Sequence, residues 1–151
     1  MIHFDDARLS SRPPSAFAER RQVRFQDVDA AGLVFYPRVL EWFHDVYVAF
    51  LAAAGTPLPE VLAAKAWAAP LSHAEARYKK PLRFGDDVEI ALVCAHVEAT
   101  EATLGYRLAR IDDGTVAAIG QSSHVFVDPA TFRRRPVPEP LRDALARLGT
   151  P

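Results

Sequence analysis

Cysteine is almost missing from this chain. Cys94 stands alone among 151 residues, so no intramolecular disulfide can form and the fold has no need of an oxidising compartment. Alone in a strand-like run, it reads as a small buried apolar residue rather than a nucleophile. Long apolar runs are missing too. No stretch approaches the roughly 18 residues that a membrane span needs, and the opening MIHFDDARLSSRPPSAF is too polar for a signal peptide. The cytoplasm is therefore the expected compartment, with no membrane partner. Finally, neither sign of charge is in excess: 18 Lys and Arg against 19 Asp and Glu leave a formal net charge of -1. Nucleic-acid-binding domains are normally basic, so no nucleic-acid partner is expected, and an anionic ligand must find a local cluster of positive charge. What remains, 50% hydrophobic and 25% charged residues, is the balance of a globular domain long enough to bury a core without staples.

Residues 1–16 carry Ser10, Ser11, Pro13 and Pro14 without periodicity and read as a flexible leader; residues 17–151 read as one domain. Phe17 to Phe25 has the alternation of a short strand. After the loop Gln26 to Gly32, Pro37 suits the first turn of a helix. Val39, Leu40, Phe43, Val46, Tyr47, Phe50 and Leu51 then recur at helical spacing until Gly55 and Pro57 end the run. Four strand-like segments follow: His73 to Tyr78, Val88 to Cys94, Leu104 to Ala109 and Val116 to Val127. The turn formers between them are Pro81, Gly85-Asp86 and Asp112-Asp113-Gly114. A short helix is expected over Glu139 to Leu148. One strand, one long helix and a run of closely connected strands is an α+β pattern whose strands must pair antiparallel. A single helix on one sheet face leaves the other open, which self-association would cover.

Chemistry concentrates in Val23 to Glu41, VRFQDVDAAGLVFYPRVLE. Asp27 and Asp29 end a strand, and a helix starts a few residues on, with unpaired N–H groups and its positive dipole end facing back toward the loop. A carboxylate there can attack or activate water, and the N–H groups can stabilise an oxyanion. Gly32 removes a side chain where a substrate must approach the backbone. The same residues also fit a plain capping or turn-forming loop.

The stretch Asp27-Val28-Asp29-Ala30-Ala31-Gly32-Leu33-Val34-Phe35-Tyr36-Pro37 resembles the entry motif of the 4-hydroxybenzoyl-CoA thioesterase family, D-x-D-x-x-G-x-V-x-[YFH], which runs straight into a long helix. Pro70 to Glu75 and Pro81 to Asp87 resemble the family's next two strands and their turn. Asp29-Ala30-Ala31-Gly32 and the Pro-x-x-His-Ala of Pro70 to Ala74 are also similar to the 1,4-dihydroxy-2-naphthoyl-CoA thioesterases. The resemblance covers about residues 20 to 130. It implies a hot-dog fold, in which a curved antiparallel sheet wraps a central helix, and homodimers or homotetramers with active sites between chains. It implies hydrolysis of an acyl-CoA without a cofactor. Asp29 falls on the catalytic carboxylate, as nucleophile or general base, and Tyr36 on the helix-start N–H that polarises the thioester carbonyl. Gly32 and Val34 fall on substrate-binding positions, and Asp27 on a loop-fixing carboxylate. A branch favouring short aliphatic chains has His where this chain has Tyr36, so the resemblance favours an aromatic acyl group.

In one respect the chain departs from the 4-hydroxybenzoyl enzymes. Their basic run between the third and fourth strands is replaced by Glu98-Ala99-Thr100-Glu101-Ala102. The CoA phosphates are then expected at Arg133 and Arg134, with Lys79 and Lys80 as alternatives. His73 and His124 could face each other across strands. His73 and Glu75 share a face, but no third ligand of suitable spacing follows, so no metal is expected. The His-and-carboxylate motif of acyl-thioester dehydratases is absent from the helix. A non-catalytic acyl-CoA binder, or a thioesterase for carrier-protein or short aliphatic thioesters, are the other readings.

Overall fold

The computed structural model describes residues 1–149; residues 150 and 151, the end of the expected domain, lie outside the described residues. In chain order the elements are α1 Asp6–Ser10, β1 Phe17–Gln22, α2 Pro37–Ala53, α3 Leu58–Ala64, β2 Leu71–Tyr78, β3 Asp87–Val97, β4 Glu101–Arg110, β5 Val116–Val125 and α4 Glu139–Ala146. The strands form one sheet in the order β1-β3-β4-β5-β2, antiparallel throughout. The short links between β3, β4 and β5 leave hairpins as the accessible connection. In the second of these turns Asp113 Oδ1 accepts from Thr115 N, 2.9 Å away, and Gly114 takes a positive φ of 69°. Edge strands β1 and β2 are each paired on one side only.

Helix α2 lies in the hollow of the sheet because its apolar residues fall three or four apart. Val39, Trp42, Phe43, Val46, Tyr47, Phe50 and Leu51 are all buried, and each large side chain so removed from water contributes roughly 1.5–3 kcal/mol. Phe43 stacks on Tyr106 of β4, ring centroids 4.8 Å apart. Gly120 of β5 makes this approach possible: a Cβ there would lie 2.7 Å from Phe43 Cε2 and 2.3 Å from the Glu75 carbonyl. Beyond α2, the Thr56 N–H reaches back to the Leu51 carbonyl at 2.9 Å and Gly55 takes φ 84°, the left-handed stop that its position suggested.

The other sheet face is where sequence and structure differ. The leader, expected to be flexible, is an arm packed across that face. Phe4 and Leu9 are buried with Ala91, Val93, Cys94 and Ile119 in a second apolar cluster. The Phe4 N–H donates to Gln121 Oε1 at 2.9 Å, Gln121 Nε2 donates to the Ile2 carbonyl at 2.8 Å, and Arg12 pairs with Glu89 at 2.6 Å. Gly105 lies beneath the arm; a Cβ there would sit 2.6 Å from Leu9 Cδ2. Phe4 and Leu9, set among polar and charged residues, give no periodic signal, and the strands that receive them lie far along the chain. The cover also changes what the open face implied, because its apolar centre is already occupied by the same chain. Cys94 belongs to this cluster, and burial pushes its thiol up to about 11, which suits packing and not attack.

Candidate active site

Asp27 and Asp29 would share one side if the strand ran on through them. It does not: Phe25–Asp27 form a short 3-10 turn, and the two carboxylates enter opposite environments. Asp27 is fully buried. It accepts from the Arg24 N–H at 2.8 Å and from the Arg24 guanidinium at 3.1 and 3.2 Å, and Arg38 Nε lies 3.4 Å away. Burial alone would raise its pKa, but the hydrogen bonds and charge of Arg24, with the charge of Arg38, hold it below the ordinary carboxylate value. Arg38, in the first turn of α2, thereby ties the helix start to the loop.

From Asp27 the chain doubles back as a tight hairpin. The Phe35 N–H donates to the Asp27 carbonyl and the Asp29 N–H to the Leu33 carbonyl, both at 2.8 Å, while Gly32 N–H closes the turn on the Asp29 carbonyl at 3.0 Å. Gly32 has φ 80°, a conformation that costs other L-residues free energy. Asp29 is exposed. Its Oδ1 accepts from the Ala31 N–H at 2.9 Å and the Leu33 N–H at 3.3 Å, which fixes the carboxylate on the turn. Its Oδ2 has no hydrogen bond among the described residues. One oxygen is therefore held and the other is available to a substrate or a water.

The start of α2 leaves a donor unused among the described residues. Pro37 has no N–H, Arg38 N–H donates to the Phe35 carbonyl and Val39 N–H to the Tyr36 carbonyl. The Tyr36 N–H has no acceptor among the described residues, and the residue is 66% exposed. Tyr78, at the end of edge strand β2, donates its hydroxyl to the Tyr36 carbonyl at 2.7 Å and so pins the helix start to the sheet. Strand alternation places Tyr78 on the helix-facing side with Ala74 and Ala76; its partner is visible only in three dimensions. Beside this corner is a cavity of about 280 Å³ lined by Leu33, Val34, Tyr78, Lys80 and Leu82 among others. Asp29, Gly32, Val34 and Tyr36 thus lie on one hairpin and helix start.

Arg133 and Arg134 are not brought to this corner. They follow β5, whose far end pairs with the start of β2: Leu71 lies opposite His124, whereas Tyr78 lies opposite Ala118. Arg134 donates to Thr100 Oγ1 in the β3–β4 turn at 3.2 Å, and the Arg133 guanidinium makes no ion pair among the described residues. Of the alternatives, Lys79 pairs with Asp6 of the arm, while Lys80 is exposed beside the cavity.

The far end holds an aromatic hollow that no sequence pattern marked. Two hollows of about 170 and 420 Å³ share His44, Tyr47, Leu71 and His124; the larger extends to Trp67 and Phe132. Tyr47 and His124 stack with centroids 4.5 Å apart. His124 Nε2 is 3.0 Å from Ser122 Oγ, which is 2.7 Å from the Tyr106 hydroxyl, and His124 Nδ1 is 3.4 Å from the Ala69 carbonyl. Burial drives the His124 pKa down to about 4, with the charge of nearby His44 acting the same way against the Ala69 hydrogen bond. His124 does not face His73. The bulge between Leu71 and His73 separates them, and His73 points to the arm, 2.9 Å from Glu75.

Residues 23–145 match the profile of the thioesterase-like superfamily. The chain belongs to that superfamily. It is 33% identical over 127 residues, 83% of this chain and 92% of the relative, to the 1,4-dihydroxy-2-naphthoyl-CoA hydrolase of Synechococcus elongatus. Its fold superposes on the crystal structure of a 1,4-dihydroxy-2-naphthoyl-CoA thioesterase from Synechocystis with a TM-score of 0.83 at 26% identity, covering 90% of this chain and 99% of that one. A gentisyl-coenzyme A thioesterase structure matches at TM-score 0.73 and 30% identity, over 85% and 98% of the two chains. The α+β architecture is the hot-dog fold, and this superfamily member is a thioesterase, as the motif at Asp27 to Tyr36 implied.

Proposed function

We propose that this thioesterase hydrolyses an aryl-CoA to the free aromatic acid and CoA, acting in the cytoplasm as a homodimer or homotetramer. One observation carries the reading: an exposed carboxylate with a free oxygen, Asp29, lies on the same hairpin as an amide of the helix start, that of Tyr36, which is unused among the described residues. The thioester carbonyl oxygen accepts from the Tyr36 N–H, where the helix dipole favours developing negative charge. Asp29 Oδ2 attacks the carbonyl carbon, the C–S bond breaks, and CoA leaves as its thiolate; water then opens the acyl-aspartyl anhydride. As a general base, Asp29 would instead take the proton of an attacking water.

Two chains make better sense of the surface than one. Phe35, Tyr36, Leu40, Leu71 and Tyr78 are exposed along the α2 start and the β2 edge, and the unpaired side of β2 offers a ladder of backbone groups. Antiparallel pairing of two β2 edges sets the Tyr78 end of one chain against the partner's Leu71 end. It would bring the aromatic hollow and the arginines of one chain toward the Asp29 corner of the other. The aromatic acyl group and the CoA phosphates then have their candidate sites, and the relatives' aryl substrates support the same choice.

Thiol release from a panel of acyl-CoAs and carrier-protein thioesters tests the proposal, with sedimentation run at the assay concentration. The expected result is an assembled protein with higher kcat/KM for at least one aryl-CoA than for acetyl-CoA. Clear preference for short aliphatic esters would reject the aromatic assignment, and an active monomer would reject the shared site.

A further inference from the structure

We propose that His3, His73 and Glu75 bind a divalent transition-metal ion, of which Zn2+ is the type, and that the ion clasps the N-terminal arm to the edge strand β2. Strand alternation places His73 and Glu75 on the same face, and the third ligand comes from the arm. The backbone on either side of His3 is fixed, since the Phe4 N–H donates to Gln121 Oε1 and the Ile2 carbonyl accepts from Gln121 Nε2. His3 is thereby held against β2, its ring edge-on to that of His73 at 5.6 Å and 89°.

The donor geometry suits a small cation. One ligand atom from each residue lies within 4.8 Å of the other two. His73 Nε2 is 2.9 Å and His3 Nδ1 3.8 Å from the same oxygen, Glu75 Oε2. Metal–ligand bonds of about 2.0–2.2 Å in a tetrahedron put neighbouring donors about 3.3–3.6 Å apart, so the two observed separations bracket that spacing. The remaining closure is a rotation of His3, whose side chain is 62% exposed. Glu75 divides its oxygens: Oε1 faces Arg77 at 3.6 Å, and Oε2 faces both imidazoles. A ligating carboxylate is oriented by an outer partner in this way. Arg77 and Lys79 both pair with Asp6, which offsets the nearby positive charge. Two imidazoles and one carboxylate favour zinc and its neighbours over calcium or magnesium, which prefer oxygen alone. A hydrogen bond accounts for the His73–Glu75 contact without an ion, but it leaves unexplained why a third donor converges on the same oxygen.

The site lies on the sheet face opposite α2, and its expected effect is on the arm. An ion that binds the folded arm and not the released one stabilises the docked state. The test uses the full chain, stripped with chelator and dialysed, and two probes: Zn2+ by calorimetry and Co2+ by visible absorption. Expected are saturable binding of about one ion per chain, tetrahedral Co2+ bands, and slower proteolysis within residues 1–12 when Zn2+ is added. His3→Ala, His73→Ala and Glu75→Gln should each weaken Zn2+ binding by at least about tenfold. His3→Ala should also remove the protection of the arm. His96→Ala, at a histidine paired with Glu98 elsewhere, should leave binding unchanged. His3 is exposed, so its variant will fold, and circular dichroism checks this. Absence of saturable binding at micromolar Zn2+, or binding retained in both His3→Ala and His73→Ala, would overturn the proposal.

Discussion

The two ends of the sheet differ in how their polar groups are partnered. At the Tyr78 end, polar groups are short of partners: Asp29 Oδ2 and the Tyr36 N–H are both unused, and the surrounding surface is open. At the Leu71 end, the groups lining the aromatic hollow are paired and enclosed. Tyr106, Ser122 and His124 form a buried chain of hydrogen bonds under stacked aromatic rings. In the proposed reaction, unused donors and acceptors with access to substrate would serve bond-making, and an enclosed, stacked, neutral surface would serve recognition of a flat apolar group. Along β2, from Leu71 to Tyr78, the ends are separated by roughly 23 Å within one chain. The proposed dimer removes that distance.

The sharpest way to break the comparison is at the reactive end. Asp29→Asn keeps the shape of the turn and the Oδ1 hydrogen bonds but removes the proposed base or nucleophile. Turnover should fall by roughly 10²–10⁴-fold or more, with circular dichroism and sedimentation unchanged. Near-full activity in a folded, assembled variant would remove the centre of the proposal. Asp27→Asn should instead reduce stability, by roughly 1–3 kcal/mol in urea denaturation, because a buried acceptor of several hydrogen bonds is lost. Its effect on turnover should be the smaller of the two, and the reverse pattern would exchange the two carboxylates' roles.

A second expectation concerns the enclosed end. His124 binds its proton only near pH 4 in the folded chain, against 6.5 for an ordinary histidine. Between those values the unfolded chain takes up a proton that the folded one refuses, so stability falls as pH drops from about 6.5 to about 4. The loss should amount to roughly 2–3 kcal/mol. His124→Gln should flatten that part of the stability curve relative to the parent. Parallel curves for the two proteins would mean that the histidine is not held neutral.

The smallest expected effect is at the arginines. Arg133→Ala with Arg134→Ala should raise KM for a CoA ester more than it lowers kcat, since remote phosphate contacts contribute uniform binding. The KM of the parent should rise with salt, because exposed charges are screened over about 10 Å at 0.1 M. Unchanged kinetics would move the nucleotide to Lys80 or elsewhere.

Long periodic segments were legible in the sequence. Helix α2 and the strands follow from apolar spacing and from Pro37, Gly55 and Gly114, and the motif from Asp27 to Tyr36 pointed to the hairpin on which four of the expected site residues lie. Short elements were not legible. Leu58–Ala64 gives no more than two turns of helix, with Val61 its one buried residue, and the arm has two buried apolar anchors, Phe4 and Leu9. The aromatic hollow draws its lining from α2, β2, β4 and β5, so no local pattern marks it.

What the sequence determined by itself was whatever depends on near neighbours. Periodicity decides which face of an element is buried, turn residues decide where the chain reverses, and the spacing of Asp29, Gly32 and Tyr36 places a carboxylate before a helix start. Only the tertiary structure decided the fate of chemically equal groups. It buried Asp27 between Arg24 and Arg38 and left Asp29 open, though the two stand two residues apart. It stacked His124 on Tyr47, and it carried His3 across the sheet to His73 and Glu75. The physical reason is that burial and pairing are set by long-range contacts, and those contacts fix the charge, the hydrogen bonds and therefore the chemistry of each side chain.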